Sequence, residues 1–550
     1  MPALHTLRRL ALLSGVSLTT CFIADNEFGG KVIQRTSRLA YNGMAIAIDY
    51  KLNFKPEKAD LIEDLHTRAA NRILNVCRQN GGLYIKLGQG ISTQAAVLPA
   101  PFQRILRVLY DSASHVPFSK IVTIFKQDFG KHPDDIFIEF ERVPIASASI
   151  AQVHRARLKD GTPVAVKVQK PEIAKQLDWD IWAYKTLFYL YEKIFDLPIY
   201  WSTSYTEAQL RQETDFLNEG KNAELARRHL QEDVNLRDRV YIPDVYWDYC
   251  SKRVLVAEWI DGVQVTEAEK VRSMGFRVAD IMDAVVSYFA FQIMQSGHVH
   301  ADPHPGNVFV RPHPHRPSRP QIVVLDHGLY IHESEEFRRQ YCQLWKALFM
   351  MDTKKVNDIC QKWGIRESEM FASFTLQRPY SPSKPLHLSS SVSLADTYRL
   401  QSDLKNRARN FLSDAALFPR ELLFIVRNMS IVRANNKTLG SPVNRINIMA
   451  RYAVRGEYGV LDDIYDIRDV SPLKATVIRI SRNFHSSWNR MVFRVVLWSM
   501  SVVFWWTQVR DAVWTFFGGR SENFEELMDK RLALELEKVG IKVDLDAFDA

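Results

Sequence analysis

Two short segments contain an ammonium group and carboxylates in an order that suits the binding of a nucleotide. The apolar, strand-like run Val164–Lys167 ends in a lysine, which can pair with the α- and β-phosphates of a nucleotide. An acidic residue in the following helical region is expected to hold the ammonium of Lys167. Glu219 is the preferred partner, and Glu213 and Asp215 are alternatives.

Two later segments supply oxygen atoms suited to a metal ion. Asp302 precedes Asn307 by five residues in the proline-containing run that starts at His300, and this is the spacing of a kinase catalytic loop. Asp326 follows the apolar run Ile322–Leu325 and can present its carboxylate at the end of a strand. We expect Asp302 to lie near the attacking group, and Asn307 and Asp326 to ligate Mg²⁺. All four segments in this order predict binding of Mg-ATP.

The elements that must position these residues change in type along the chain. Helical periodicity over residues 60–128 gives way to strand-like alternation between Ile136 and Val168, with a hairpin turn at Asp160-Gly161. Further helical patterns and a Pro-rich segment that we expect to be a loop follow: helix over Tyr205–Leu230, helix over Val278–Ser296 and the loop Arg311–Pro320. Strands followed by helices predict an α+β fold with two lobes.

Composition is that of a globular chain of more than one packed unit. The chain has 550 residues, 46% hydrophobic and 25% charged, with a net charge of +9. The basic residues are spread along the chain, which argues against a nucleic-acid-binding function. Its five scattered cysteines form no CxxC pair, which argues against a disulfide framework.

Two apolar segments raise the question of targeting and membranes. Residues 1–24 contain no Asp or Glu but include Arg8 and Arg9, so residues 1–25 are interpreted as a mitochondrial targeting segment, with a secretory signal as the alternative. The run Val495–Val509 contains three tryptophans. It predicts either membrane association or a buried helix. Pro379–Val392 is rich in Pro and Ser and is expected to be a linker.

The segment Lys86-Leu87-Gly88-Gln89 matches the Lys-x-Gly-Gln signature of the UbiB-type atypical kinases, also called aarF-domain-containing kinases. With the four segments above, the chain resembles this family over roughly residues 60–455. The resemblance implies that the helix bearing Lys86 and Gln89 lies over the active site, where Glu213 and Asp215 of a Glu-x-Asp motif hold it. It also implies a two-lobed protein-kinase-like fold with helical extensions at both ends.

The expected domains are a helical extension (60–130), an N-lobe (131–262), a C-lobe (263–455) and a C-terminal helical region (456–550), for which membrane association is one of the two interpretations given above. The expected nucleotide-binding residues besides Lys167 are Ala146, Ser147, Ala148, Ser149, Val153, Ala165 and Glu258. The Ala-rich loop replaces the glycine-rich loop of ordinary protein kinases, and alanine resists positive φ.

The resemblance implies an Mg-ATP-dependent ATPase, or a kinase acting on a small or lipid molecule, in mitochondrial lipid or ubiquinone metabolism. The expected partners are a nucleotide and a lipid or membrane surface. The alternative is a non-catalytic, ATP-regulated scaffold for a membrane-bound assembly. A conventional protein kinase fits less well, because Ala301 stands where the usual arginine precedes the catalytic aspartate and no Ala-Pro-Glu follows Asp326.

Overall fold

The structure is a computed structural model that describes residues 25, 30–92, 98–110, 115–366, 368–376, 419–461, 493, 495–511, 513–514 and 523–530. The expected targeting segment, apart from Asp25, and the expected linker Pro379–Val392 lie outside these residues. The described chain forms two compact units. The first contains the residues up to Gly220 together with Asp244–Trp259, and the second contains Lys221–Pro243 and the described residues from Ile260 onward.

The described chain contains both helices and sheets whose strands are mainly antiparallel, as expected for an α+β fold. The helices are α1 (Val32–Asn53), α2 (Ile62–Asn80), α3 (Leu83–Ser92), α4 (Ala100–Leu106), α5 (Phe118–Phe129), α6 (Pro133–Ile136), α7 (Pro171–Phe195), α8 (Trp201–Glu213), α9 (Phe216–Glu232), α10 (Ala268–Ser273), α11 (Val278–Phe291), α12 (Glu335–Phe349), α13 (Thr353–Lys362), α14 (Ser368–Leu376), α15 (Arg420–Thr438), α16 (Arg445–Leu461) and α17 (residues 495–511). The strands are β1 (Glu139–Phe140), β2 (Ala146–Ser147), β3 (Ala151–Arg157), β4 (Pro163–Gln169), β5 (Val240–Tyr241), β6 (Val254–Glu258), β7 (Val263–Gln264), β8 (His298–His300), β9 (Val308–His313), β10 (Arg316–Val324) and β11 (Tyr330–His332).

The first unit contains a five-stranded sheet in the order β1-β3-β4-β6, with β2 paired to β3. Side chains alternate across β4, so Val164, Val166 and Val168 are fully buried in an apolar core while Ala165 and Lys167 face the other way. The β3–β4 hairpin turns at Asp160-Gly161 as the sequence predicts, and Gly161 has a φ of 88° that a residue with a side chain rarely adopts.

The helical segment before this sheet is broken at Gly81-Gly82, where both glycines have positive φ. The break separates α2 from α3, the helix that contains Lys86. Gly88 of α3 packs so closely that a Cβ atom there would lie 2.4 Å from Leu109 Cδ1 and 2.8 Å from Cys77 Sγ. A side chain at position 88 would therefore force Leu109 and Cys77 to move.

The second unit contains a four-stranded sheet in the order β5-β10-β9-β7. The sequence-based prediction of a loop over Arg311–Pro320 is wrong, because β9 and β10 form an antiparallel hairpin through this segment. Prolines are tolerated there because the hairpin projects into solvent, where Arg316 to Arg319 are exposed, and its register shifts between Arg316 and Pro320.

Strands β8 and β11 form a separate antiparallel pair that holds a stack of aromatic side chains. The buried ring of His298 stacks on Tyr330 at 4.2 Å and on His332 at 4.6 Å between ring centroids. Burial is the main reason that the pKa of His298 is lowered to about 3, and repulsion by neighbouring histidines adds to it.

Residues 523–530 are fastened to α15 and α16 by buried charges. Asp529 pairs with Arg433 at 2.8 Å and with Lys437 at 3.1 Å, and Glu525 lies 3.4 Å from Arg445. The two arginines and two acids of these pairs are each at most 2% exposed.

Helix α17 lies in the same unit, and no helix among the described residues is long and apolar enough to cross a membrane. The four cysteines within the described residues are free.

A methyl group added to Gly88 is expected to destabilise the first unit. We predict that Gly88→Ala lowers the free energy of unfolding by about 1–3 kcal/mol, because Leu109 and Cys77 must move away. Gly90→Ala in the same helix is the matched control, since a Cβ atom there meets nothing within 4 Å. It should change stability by about 1 kcal/mol or less. Chemical denaturation of both variants checks this, and equal stability of the two would contradict the packing argument.

The buried His298 is expected to make the second unit less stable in acid. In the unfolded chain His298 binds a proton below its ordinary pKa of 6.5, whereas in the folded protein it stays neutral down to about pH 3. Stability present at neutral pH is therefore lost by about 1.4 kcal/mol per pH unit as the pH falls below 6.5. His298→Phe should flatten this dependence by one proton in denaturation measured from about pH 7 to about pH 5. His315→Phe, on the turn between β9 and β10, is the control and should retain the wild-type slope.

Candidate functional site

Lys167 faces away from the apolar core of the first unit and is paired with a buried carboxylate. Its Nζ lies 2.7 Å from Glu219 Oε1 and 2.8 Å from Oε2, and 5.2 Å from the centroid of the Phe216 ring. Glu219 is only 3% exposed. A carboxylate removed from water to this extent requires a charged partner. The structure therefore brings together the lysine and the preferred acid of the sequence prediction.

Glu219 is presented by the first turn of α9, and the acidic segment before it shapes that turn. The Asp215 carboxylate accepts a hydrogen bond from the Leu217 N–H at 3.1 Å, and the Asp215 carbonyl accepts from the Glu219 N–H. Asp215 thus starts the helix, as aspartates commonly do at helix N-termini. Glu213, the last residue of α8, forms an ion pair with Lys86 at 3.2 Å.

Helix α3 is tied down at both ends of its Lys-x-Gly-Gln segment. The ion pair between Lys86 and Glu213 holds one end, and Gln89 donates a hydrogen bond to the Leu109 carbonyl at 3.0 Å at the other. Gly88 lies between them in the close contact described above. The structure thus brings Lys86 together with Glu213, whereas the Asp215 carboxylate caps α9.

The Ala-rich loop is a tight turn between β2 and β3. Ala146 and Ser147 pair with Val153 and Gln152, and the Ala148 N–H donates to the Ala151 carbonyl at 2.8 Å. None of these residues has positive φ. Lys170 Nζ donates to the Ala148 carbonyl at 2.6 Å, and burial lowers the pKa of Lys170 to about 8. The Ser149 side chain is buried.

The remaining expected nucleotide-binding residues lie on neighbouring strands of the same sheet. Val153 on β3 pairs directly with Lys167, so both side chains and that of Ala165 lie on one face of the sheet. Glu258, on β6, pairs instead with Val164 of β4, and its backbone N–H donates to the Asp244 carbonyl at 2.8 Å. Because Glu258 lies opposite the buried Val164, its side chain is on the other face of the sheet from that of Lys167.

In the second unit a neutral histidine joins the segments that contain Asp302 and Asp326. His300 Nδ1 accepts a hydrogen bond from the Asp302 N–H at 3.0 Å, and Nε2 lies 2.9 Å from the Asp326 carbonyl, to which it must donate. The imidazole therefore has its single proton on Nε2. Burial lowers the pKa of His300 and favours this neutral form.

The register of the β9–β10 hairpin places Asn307 next to the strand end before Asp326. Val308 pairs with Val324, so the residues on either side of this pair face each other, and the Leu325 N–H donates to the Asn307 carbonyl at 2.9 Å. Asp326 Oδ1 accepts from the Gly328 N–H at 2.8 Å. An amide and a carboxylate are hard oxygen donors that suit Mg²⁺ in company with phosphates.

Two residues of α15 that the sequence analysis missed contact the Asp302 segment of the second unit. Arg427 lies 3.2 Å from Asp302 Oδ1, and Asn428 donates to the His300 carbonyl at 2.7 Å. Asn428 is 1% exposed. The one available signal was an Arg-Asn pair between the apolar residues Ile425-Val426 and Ile431-Val432, because polar groups inside an apolar helix need partners.

Histidines do not form a zinc site within the part of the chain that the structure describes. No group of three or more His, Cys, Asp or Glu side chains there is arranged to hold a metal ion. His298 belongs to an aromatic stack, and His300 uses both ring nitrogens for hydrogen bonds to the backbone. The donors at Asn307 and Asp326 therefore differ in kind from a preformed metal cage, since Mg²⁺ commonly takes further ligands from phosphate and water.

Comparison with known proteins shows which family the chain resembles. Residues 108–360 match the family model of the ABC1 atypical kinase-like domain. The chain is 37% identical to the ABC1 family protein lscO of Purpureocillium lilacinum over 93% of this chain and 88% of that protein. It is 33% identical to AarF domain-containing protein kinase 1 of Xenopus laevis, over 81% of this chain and 88% of that one.

Among solved structures, the complex of Rv3197 with erythromycin from Mycobacterium tuberculosis aligns with a TM-score of 0.41 at 19% identity, over 64% of this chain and 95% of that one. The sequence motifs also predict that, among animal members of the family, the chain is most like aarF domain-containing kinase five, and this remains a prediction. The extent of the match to full-length relatives and the match to the family model establish that the chain belongs to the ABC1 atypical kinase family, that of the UbiB and AarF proteins.

Proposed function

We propose that this protein is a Mg-ATP-binding enzyme that hydrolyses ATP or transfers its γ-phosphoryl group to a small or lipid molecule. The observation that carries the proposal is the ion pair of 2.7 Å between Lys167 and the buried Glu219. An ammonium group held in this way is positioned for the α- and β-phosphates of a nucleotide before the nucleotide arrives. Membership of a kinase-type family supports the same reading.

In this proposal the metal ion would be bound by residues of the second unit. Asn307 and Asp326 would hold Mg²⁺, and a bound Mg²⁺ neutralises the charge of the phosphates. Asp302 would orient the attacking water or hydroxyl. Its carboxylate is held in place by the ion pair with Arg427 at 3.2 Å. Orientation is therefore a better role for Asp302 than early removal of a proton, and a loose transition state needs little more.

The acceptor is proposed to be a small or lipid molecule because two features of protein kinases differ here. Ala301 replaces the arginine that would bind a phosphorylated activation loop. The Lys86–Glu213 ion pair and the Gln89 hydrogen bond hold α3, which we propose restricts access of a peptide. By family resemblance, the process would be lipid or ubiquinone metabolism in mitochondria, at a lipid or membrane surface.

A non-catalytic scaffold is the second candidate. It is favoured by the Ala-rich turn, which is closed by its own hydrogen bond between Ala148 and Ala151 and has no positive φ with which to wrap phosphates. In this case ATP would stabilise one conformation that recruits partners, and hydrolysis would be incidental.

Hydrolysis of ATP distinguishes these candidates. We predict that Asp302→Asn and Asp326→Asn each lower the rate by about 10²-fold or more, because the variants lose a positioning group and a metal ligand respectively. The assay uses purified full-length protein with and without liposomes, and binding of Mg-nucleotide is measured separately by calorimetry. Asp238→Asn is the matched control, because Asp238 is an exposed aspartate of the same unit that pairs with Arg316.

If the wild type and both site variants hydrolyse ATP alike at background level while the wild type binds Mg-nucleotide, the scaffold is the correct function. If the wild type does not bind Mg-nucleotide at all, both candidate functions are refuted.

The proposed role of α3 predicts a gain of activity. Lys86→Ala removes the ion pair with Glu213 and should increase transfer of labelled γ-phosphate to an added protein by about threefold or more, because a partly exposed pair contributes about 1 kcal/mol. Lys185→Ala is the control, since Lys185 forms a similar ion pair with Glu207 at 2.9 Å elsewhere in the first unit. If the wild type labels the added protein and Lys86→Ala labels it no better, α3 does not restrict access.

A further inference from the structure

Helix α17 has one face that consists only of valine and tryptophan. At 100° per residue, positions 495, 498, 502, 505, 506 and 509 fall within a single arc of the helix. Trp498, Trp505 and Trp506 are 64–69% exposed, and Val495 and Val502 are also exposed. The arc contains no charged or polar residue. Val495 and Val509 are 14 residues apart in the chain, so the arc extends for about 21 Å along the helix. A continuous apolar strip of this length is larger than the single apolar residues that are scattered over an ordinary protein surface.

The opposite face of α17 contains both polar and apolar residues, and it is bound to the second unit by specific contacts. Asn447 of α16 donates hydrogen bonds to the Leu497 carbonyl at 3.1 Å and to Ser501 Oγ at 2.9 Å. Gln508 donates to the Ser441 carbonyl at 3.1 Å, and Thr507 is buried. Phe504, on the same side, packs edge-on against Phe524 at 5.2 Å between ring centroids. The orientation of the helix is therefore fixed by specific contacts.

A surface helix usually turns its most apolar face towards the protein, whereas the valine and tryptophan arc of α17 faces outward. Rotating α17 to bury the tryptophans would break the hydrogen bonds to Asn447 and Gln508 and leave buried polar groups without partners. We propose that the outward valine and tryptophan face of α17 binds the surface of an anionic lipid bilayer, with the helix lying parallel to that surface.

Residue types and charge both favour a bilayer as the occupant. Tryptophan is enriched at the boundary between headgroups and acyl chains, and an apolar helical face inserts there to a depth of several ångströms. Residues 470–510 contain no Asp or Glu but have six basic residues, namely Lys474, Arg479, Arg482, Arg490, Arg494 and Arg510. Such a segment is attracted to anionic headgroups.

The test is co-flotation of the full-length protein with vesicles of phosphatidylcholine alone or with added phosphatidylglycerol. We expect binding that increases with phosphatidylglycerol and weakens in high salt. The variant Trp498→Ser/Trp505→Ser/Trp506→Ser should lose about tenfold or more in vesicle partitioning. The matched control is Trp179→Ser/Trp182→Ser, which removes two tryptophans of α7 that are each 54% exposed. This control should bind as the wild type does.

A single change, Val502→Asp, repeats the test with all tryptophans present, in case the triple variant does not fold. Equal vesicle binding by Val502→Asp and the wild type would overturn the proposal. So would a wild type that ignores vesicles but forms a concentration-dependent dimer that Val502→Asp abolishes, because the face would then join two copies of the chain. Asp326→Asn should bind vesicles as the wild type does, because Asp326 is not part of α17. Vesicle binding can therefore be confirmed or refuted independently of the proposed nucleotide chemistry.

Discussion

A single uncharged imidazole connects the two segments on which the proposed chemistry of the second unit depends. His300 accepts from the backbone of Asp302 and donates to the backbone of Asp326, so only one tautomer satisfies both contacts. Asn428 fixes the carbonyl of the same residue. The position of Asp302 relative to Asp326 therefore depends on the neutral form of His300. Protonation of the ring would break the hydrogen bond from the Asp302 N–H to Nδ1.

The parts of the site that the sequence predicts are those controlled by local pattern. Alternation along Val164–Lys167 fixes which side of β4 the lysine occupies, because the valines must be buried. The hairpin turn at Asp160-Gly161 follows from the need for positive φ. The apolar runs after Asn307 and before Asp326 are sufficient to predict two strands, although their pairing register is a tertiary fact.

The parts that escape prediction are set by contacts between distant segments. Pro-rich composition indicates a loop over Arg311–Pro320, but the neighbouring strands extend through it as a solvent-exposed hairpin. Arg427 cannot be assigned from spacing, since it approaches Asp302 from a helix that lies over a hundred residues away in the chain. Arg427 places a guanidinium group beside Asp302, although the arginine that usually precedes the catalytic aspartate in protein kinases is replaced here by Ala301. An isolated Arg-Asn pair in a helix gives no indication of which backbone it will meet.

The buried charges that hold residues 523–530 have a practical meaning for anyone who prepares this protein. Arg433 and Arg445 are enclosed within the second unit, and their acidic partners Asp529 and Glu525 come from the far end of the described chain. A shortened version that stops after α16 would keep these two buried guanidinium groups but remove the carboxylates of Asp529 and Glu525 that pair with them. Trimming to the kinase-like region, the usual route to a tractable sample, would thus damage the region it was meant to isolate.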